Sequence, residues 1–150
     1  MELILWRHAD AEEGARDMER KLTGKGRKQA ARVAQWLQRR LPSKFTLLCS
    51  PARRARETAD ALEQRYKISD RLAPGAQVAD LVEAAGWPER KGLVILVGHQ
   101  PDFGRAAAAL VTGEQADWSV KKGGLWWLES RVRGGDARVT VRAVIAPDLV

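Results

Sequence analysis

The 150-residue sequence predicts an α/β fold, a three-layer α/β/α sandwich with a mostly parallel central sheet and an antiparallel C-terminal strand. Three observations favour this class. Two short runs, residues 3–6 and 93–97, are wholly apolar, which is typical of strands buried on both faces. Segments with helical periodicity alternate with the strand-like runs. Finally, Gly134-Gly135-Asp136 predicts a tight turn into the last strand.

The first half of the chain contains two predicted strands and two predicted helices. Residues 3–6 predict the first strand, and the polar stretch 9–22 predicts a loop. Thr23 is expected to cap a helix that runs to about residue 41, where Pro42 ends it. After a second strand over residues 46–49, Ser50 and Pro51 have the types expected at the N-cap and first position of a helix to about Tyr66.

The second half continues the alternation. Pro74-Gly75 interrupts the chain, and Pro101 fits the first position of a fourth helix. The last strand alternates apolar and polar residues, which suggests one solvent-exposed face. In chain order, the predicted elements are a helix over residues 77–85, a strand over 93–97, a helix from Pro101 through residue 110, and strands over 125–128 and 138–145.

Composition limits the class of protein. An apolar content of 45% over 150 residues is enough for one globular domain with its own core. No segment approaches the ~20 apolar residues of a membrane span, and the N-terminal apolar run is short and lacks preceding basic residues. One cysteine and two histidines disfavour disulfides and zinc sites. We therefore expect a cytoplasmic protein that does not associate with membranes.

The formal net charge of +7 leaves two interpretations open. One is a soluble, arginine-rich surface. The other is an anionic partner, such as phosphate esters, an acidic protein or nucleic acid. The basic residues are scattered and form no recognisable nucleic-acid motif, so we do not expect a nucleic-acid partner.

Both histidines stand where a site is expected in this fold. His8 follows the first apolar run and His99 follows the run 93–97. Ligands of open α/β sheets bind at the carboxyl ends of the strands, and Arg7 and Arg54 are predicted at the same edge. Taken singly, each has a plainer interpretation: a structural histidine, a surface cation, or a solvated helix face. Their joint placement favours a site.

Two histidines and two arginines at one edge indicate phosphoryl transfer. Neutral imidazole is a competent nucleophile because its unperturbed pKa is ~6.5, so His8 could carry the phosphoryl group. Arg7 and Arg54 could bind phosphate oxygens, the latter near a helix N-terminus. His99 beside a bound dianion is expected to be protonated and to donate a hydrogen bond to the transferring group.

Four motifs occur along the chain in this order: Arg7-His8, Leu22-Thr23-Gly24-Lys25-Gly26-Arg27-Lys28-Gln29-Ala30, Ser50-Pro51-Ala52-Arg53-Arg54-Ala55-Arg56-Glu57-Thr58-Ala59, and Val97-Gly98-His99-Gln100-Pro101. In sequence and order they resemble the histidine phosphatase superfamily, with its phosphoglycerate-mutase-like fold, and within it the SixA-type phosphohistidine phosphatases. The resemblance implies a single histidine phosphatase domain over residues 1–150, with His8 as the phosphorylated nucleophile. It implies a phosphate pocket of Arg7, Arg54 and His99, with no metal or organic cofactor.

Within this family, the sequence favours phosphohistidine as substrate. Relatives acting on alkoxide esters usually carry an acid after the second helix, whereas residues 71–76 contain no glutamate. An imidazole leaving group is more readily protonated than an alkoxide and needs such an acid less. The expected partner is a phosphohistidine-bearing protein, with a histidine phosphotransfer domain as one candidate.

Other functions stay open on sequence grounds. The enzyme could hydrolyse small phosphate esters or anhydrides on the same scaffold, or the domain could bind phosphoproteins without catalysis. A basic nucleic-acid binder is the remote alternative. The physiological substrate, the phosphohistidine isomer, the general acid or base and the oligomeric state are not predicted.

Overall fold

The computed structural model describes all 150 residues, Met1–Val150, and is built around one six-stranded sheet in the order β3-β2-β4-β1-β5-β6. None of its helices is long and apolar enough to cross a membrane. The strands are β1 (Glu2–Arg7), β2 (Thr46–Cys49), β3 (Lys67–Ile68), β4 (Leu93–Gly98), β5 (Leu125–Arg133) and β6 (Asp136–Ile145). The helices are α1 (Gly24–Gln38), α2 (Arg53–Asp60), α3 (Val78–Ala85) and α4 (Asp102–Thr112), with short 3-10 turns at Asp17–Glu19, Asp70–Leu72 and Pro147–Leu149.

The sheet is mixed in the predicted manner. Strands β3, β2, β4 and β1 run parallel, whereas β5 is antiparallel to β1 and β6 is antiparallel to β5. Val97 of β4 is paired with Trp6 of β1 on one side and with Cys49 of β2 on the other. The carboxyl ends of the three central strands therefore lie side by side.

Two apolar clusters, one on each face of the sheet, confirm the three-layer sandwich. The first packs Val33 and Leu37 of α1 and Ala55 of α2 against β1, β2 and β4. The second packs Leu81 of α3 and Phe103 of α4 against the opposite face. Alternate residues of the same strands contact both layers, which is why residues 3–6 of β1 and 93–97 of β4 are all apolar.

The start of α1 is fixed by the predicted cap at Thr23 and by a close contact at Gly26. The Thr23 hydroxyl accepts a hydrogen bond from the Gly26 amide at 2.9 Å. A Cβ on Gly26 would lie 2.0 Å from the carbonyl oxygen of Asp10, so only glycine lets α1 approach the chain after β1. The helix ends at Gln38, three residues before the predicted end.

The second helix is shorter than predicted. It begins at Arg53 with Ala52 at the N-cap position, so the prediction that Ser50 caps it and Pro51 begins it is wrong. It ends at Asp60 instead of Tyr66, and Glu63 then adopts a left-handed backbone with φ of 56°. The two-residue strand β3 follows, and its exposed residues gave no apolar signal.

The last two strands form a long hairpin through Gly134 and Gly135, both at positive φ, as this turn requires. The half-buried residues of β6 still alternate with exposed ones, but a bulge opposite Trp127 and Leu128 moves the half-buried side chains from one face of the sheet to the other, so the prediction of one solvent-exposed face is wrong. Val139 therefore packs on the second cluster, whereas Ala143 packs on the first.

Candidate active site

Three of the four predicted site residues meet at the carboxyl edge of the sheet. His8 follows β1 and His99 follows β4, and the centroids of their rings are 5.2 Å apart. Arg54, the second residue of α2, contacts both rings. All three residues are buried, with exposed fractions of 8% for His8 and 3% for the other two. The edge therefore holds two imidazoles joined by one guanidinium.

The tautomer of His8 follows from its neighbours. Its Nδ1 lies 2.8 Å from the carbonyl oxygen of Ala9, and because a carbonyl only accepts, Nδ1 carries the proton. Its Nε2 accepts a hydrogen bond from Nε of Arg54 at 3.3 Å. The main chain of His8 is bonded to Gly98 on one side and Gly123 on the other. The ring is thus held with the Nε2 lone pair toward Arg54.

His99 is oriented by a serine and by the same arginine. A terminal nitrogen of Arg54 lies 3.4 Å from Nδ1 of His99, and since guanidinium only donates, Nδ1 accepts. The opposite nitrogen, Nε2, then donates to the Ser50 hydroxyl oxygen at 2.7 Å. That oxygen also accepts from the amide of Ala52. Ser50 therefore orients the His99 ring and also holds Ala52, the residue that precedes α2.

Both imidazoles are neutral at physiological pH in this environment. Burial, opposed by the bond to Ala9, lowers the pKa of His8 to about 4, with the charges of Arg54 and Arg7 acting in the same direction as burial. Burial and the charges of His8 and Arg54 lower the pKa of His99 to about 3. The expected proton on His99 therefore requires an anion in the site, which would counter burial and positive charge.

Arg7 lies beside this group without a hydrogen bond to it. One terminal nitrogen donates to the carbonyl oxygen of Val120 at 2.8 Å, while its Nε is buried with no partner. Buried donors are normally satisfied, and a phosphate oxygen is a suitable acceptor for a guanidinium. The predicted phosphate-binding role of Arg7 therefore has a vacant donor to support it.

Asp17 and Arg20 contact the site, and sequence reasoning missed both. The main-chain oxygen and the carboxylate of Asp17 accept hydrogen bonds from Arg54 at 2.7 and 3.1 Å. Arg20 donates a hydrogen bond to the same carboxylate, and its positive charge contributes to lowering the pKa of both imidazoles. The available signal was an acid and a base three residues apart in an otherwise irregular stretch, the spacing of one helical turn.

The carboxylate of Asp17 is ionised at neutral pH. Burial alone would raise its pKa, but hydrogen bonds and charge from Arg54 and Arg20 outweigh that effect and hold the pKa below its ordinary value. Asp17 is therefore an acceptor for protons or hydrogen bonds at physiological pH, and a poor proton donor. It also occupies both terminal nitrogens of Arg54.

Asp10, predicted to lie in a solvated loop, is instead half-buried and structural. Its carboxylate accepts from the Thr23 hydroxyl at 2.7 Å and from the Lys122 ammonium at 3.0 Å, and these bonds lower its pKa. The Thr58 hydroxyl accepts from the amide of Ala9 and donates to the carbonyl of Arg54, which ties α2 to the end of β1. These contacts hold the two site-bearing segments in register.

The arrangement suits chemistry on an oxyanion. A lone pair on His8 faces a pocket in which Arg54, Arg7 and Arg20 supply positive charge, as phosphoryl transfer requires. Among the 150 residues, no three histidine, cysteine, aspartate or glutamate side chains cluster as metal ligands would.

Comparison with known proteins agrees with this chemistry. The sequence model of the histidine phosphatase superfamily (branch 1) matches residues 3–100, from β1 to the residue after His99. An uncharacterized protein of Picosynechococcus sp. is 37% identical over 93% of this chain and 88% of its own length. A structure from Nakamurella multipartitia, provisionally assigned as a phosphohistidine phosphatase SixA, is 26% identical with a TM-score of 0.80, covering 97% of this chain and 95% of that one.

A second structure, the protein histidine phosphatase SixA complexed with tungstate, has the same TM-score of 0.80 at 22% identity and covers 99% of both chains. At that identity the likeness concerns the fold alone, which is the phosphoglycerate-mutase-like sandwich. The family match spans both histidines and the arginine between them in space. The chain therefore belongs to the histidine phosphatase superfamily, branch 1, and is a phosphatase.

Proposed function

We propose that this phosphatase hydrolyses phosphohistidine in a protein through a covalent phospho-His8 intermediate. One observation carries the proposal: the proton of His8 is fixed on Nδ1, which leaves a buried, neutral Nε2 facing Arg54. A neutral imidazole nitrogen with its lone pair directed into a cationic pocket is the group that attacks phosphorus most readily here. The proposal treats residues 1–150 as one catalytic domain.

The reaction has two steps on this geometry. The Nε2 lone pair of His8 leaves its hydrogen bond with Arg54 and forms a bond to phosphorus. The bond from phosphorus to the substrate imidazole breaks, and that imidazole takes up a proton from solvent. Water then attacks phospho-His8, releasing orthophosphate and restoring the Nε2 lone pair. Arg7 and Arg54 bind the equatorial oxygens, and His99, protonated once the anion arrives, donates to them.

The missing acid supports an imidazole leaving group. The segment after the 3-10 turn Asp70–Leu72 carries no glutamate, and the amides of its Gly75 and Ala76 donate to the buried carboxylate of Asp102 at 3.0 and 3.1 Å. Asp17 is the carboxylate nearest Arg54 but is held ionised. Neither residues 71–76 nor Asp17 supplies a protonated carboxylate to an alkoxide leaving group, whereas imidazole, with a pKa of ~6.5, readily protonates.

Hydrolysis of small phosphate esters is the second candidate, favoured by the placement of the Asp17 carboxylate 3.1 Å from Arg54. If a bound phosphoryl group took over Arg54, Asp17 would lose a partner and its pKa would rise toward the range of a general acid. This route needs a compact substrate that leaves Asp17 in place.

The test compares phosphate release from a phosphohistidine-bearing protein and from a panel of phosphomonoesters, without added metal. Wild type, His8→Ala and Asp17→Asn are assayed together. We expect rapid turnover of phosphohistidine that His8→Ala abolishes and Asp17→Asn retains. Quenching wild type in denaturant during turnover is expected to trap a phosphate on His8 that is labile in acid and stable in alkali.

Two results would contradict the proposal. Faster turnover of a small ester, lost in Asp17→Asn, would assign the protein to the second candidate. If no phosphate can be trapped on His8 of the wild type and turnover survives in His8→Ala, His8 is not the nucleophile.

A further inference from the structure

The strongest unassigned feature is a basic groove beside the site, with a volume of about 910 Å³. It lies between α1, the loop before β5 and the 3-10 turn Pro147–Leu149. Six cationic side chains line this surface, which we call the basic groove. They are those of Arg7, Lys25, Lys28, Arg32, Lys121 and Lys122. The only carboxylate in its lining is that of Asp148.

Most of this positive charge is uncompensated. Lys122 is paired with Asp10 at 3.0 Å, but Lys25, Lys28, Arg32 and Lys121 are exposed and take part in no ion pair. Elsewhere many of the exposed arginines have carboxylate partners, among them Arg53, Arg71 and Arg105. Concentrated unpaired charge of one sign raises the local concentration of an oppositely charged partner and its rate of association.

The basic groove is connected to the site through Arg7. This residue lines the groove, its buried Nε has no partner, and its charge acts on His8. A molecule lying in the groove would therefore extend from the position where Arg7 meets the phosphoryl group. The arrangement gives a substrate a second contact region outside the reacting atoms.

The chemistry of the lining favours an acidic protein surface as occupant. Four of the six cations are lysines, compact point charges on flexible stems that lack the rigid fork matched to one phosphate. Val120 is the single hydrophobic side chain among the eleven lining residues, whereas pockets for small organic ligands are mostly apolar. Flexible lysines on an open face suit several carboxylates spread over a partner.

We propose that the basic groove is a docking surface for the Asp- and Glu-rich face of a protein substrate, next to the phosphohistidine that enters the site. This inference rests on the proposed function for the identity of the reacting group. It adds that the enzyme selects its substrate through acidic residues around the phosphohistidine, which bind to Lys25, Lys28 and Lys121.

The test measures binding without catalysis, by fluorescence anisotropy of a labelled Glu/Ser peptide that carries no phosphate. The groove variant is Lys25→Glu/Lys28→Glu/Lys121→Glu. The matched control is Lys44→Glu/Lys67→Glu/Lys91→Glu, three exposed, unpaired lysines with the same change in net charge. Two of them precede β2 and β4, at the opposite edge of the sheet. Unfolding midpoints establish that both variants fold.

We expect the groove variant to weaken peptide binding by roughly tenfold or more, and the control by roughly twofold, with wild-type affinity falling as salt rises. Equal losses in both variants would mean that net charge alone attracts the peptide, and no measurable binding to wild type would also overturn the proposal. Polyphosphate or single-stranded DNA binding in the basic groove more tightly than the peptide would assign it to another polyanion.

A kinetic arm separates this inference from the proposed function. kcat/KM is compared for two phosphohistidine peptides that differ only in Glu or Ser flanks. Wild type should prefer the Glu flanks, and the groove variant should lose that preference. If neither peptide is hydrolysed, the proposed function fails, while the anisotropy experiment still decides whether the basic groove binds acidic chains.

Discussion

His8 and His99 are the only histidines of the chain, so each gives its own resonance in an NMR titration. Because burial lowers the pKa of His8 to about 4 and that of His99 to about 3, we expect neither signal to move between pH 8 and 5.5 in the free protein. Saturating tungstate, a phosphate-like dianion, should raise the pKa of His99 into the measurable range.

The same titration can contradict this account of the site. A free-protein pKa of 6 to 7 for His99 would mean that its ring is more hydrated than its contacts with Ser50 and Arg54 imply. An unchanged His99 signal in saturating tungstate would remove it as the proton donor to the bound phosphoryl group.

In the proposed mechanism, Asp17 competes with phosphate for Arg54, because it accepts hydrogen bonds from both terminal nitrogens of that side chain. We expect Asp17→Asn to bind orthophosphate about two- to fivefold more tightly, because an ion pair with an exposed carboxylate contributes ~0.5–1 kcal/mol and a negative neighbour is removed. The measurement is the inhibition constant of orthophosphate. Glu19→Gln is the matched control, since Glu19 lies in the same turn and pairs only with the exposed Arg16. Weaker phosphate binding in Asp17→Asn would mean that Asp17 orders Arg54 for the ligand.

The sequence predicted the convergence of His8, Arg54 and His99 because strand ends in a parallel sheet meet by geometry. The contacts of Asp17 and Arg20 were beyond it, since they depend on how residues 12–20 fold back over α2. No periodicity encodes such a contact. The role of Ser50 was also mistaken, because a serine before a proline and a helical stretch looks the same whether it caps a helix or orients a histidine.

At the scale of elements, α1 can pack closely against the chain after β1 only because residue 26 is a glycine. We expect Gly26→Ala to lower the free energy of unfolding by about 2–4 kcal/mol, because its Cβ would meet main-chain atoms of Asp10 that cannot move without displacing His8. Gly24→Ala, two residues earlier with no atom within 4 Å, should be neutral or stabilising by up to ~1 kcal/mol.

Urea unfolding of the two alanine variants beside wild type checks this difference. If Gly26→Ala is as stable as Gly24→Ala, α1 can shift away from Asp10 without cost, which would contradict this account. If Gly26→Ala folds, its kcat/KM should also fall, because the displaced segment carries His8, the proposed nucleophile.

Most elements were predictable because burial on both faces leaves an unmistakable apolar run, as in β4. Helix α2 was predicted too long because Ala61 and Leu62 continue its apolar pattern, and only the turn at Glu63 ends it. Strand β3 has two exposed residues and is held by main-chain pairing to β2, which no side-chain pattern reports. The bulge in β6 was equally invisible, since it depends on register with β5.

For the whole molecule, the two buried neutral histidines make stability depend on pH. The unfolded chain protonates its histidines near pH 6.5, whereas the folded chain does so only near pH 4 and 3. Between these values the unfolded state binds more protons, so stability is full above pH 6.5 and falls as pH drops toward 4. Urea unfolding at pH 7.5, 6 and 5 measures the effect.

His8→Gln provides the control, since it removes one of the two titrating groups. We expect its stability to fall less between pH 7.5 and 5 than that of wild type. An identical fall in both proteins would mean that the folded state does not lower the pKa of His8, because the carboxylates with lowered pKa values act only at still lower pH.

The β5–β6 hairpin extends beyond the end of the sheet that lies opposite the site. Strand β5 begins beside Trp6, at the edge that bears the site, and passes Glu2 four residues before it ends at Arg133. Its tip at Gly134-Gly135 therefore projects about 13 Å beyond the amino end of β1, on the side of the sheet opposite the site. A dye, an affinity tag or a tether to a solid support placed at this tip would leave the catalytic edge facing away, which suits single-molecule or immobilised assays with large protein substrates.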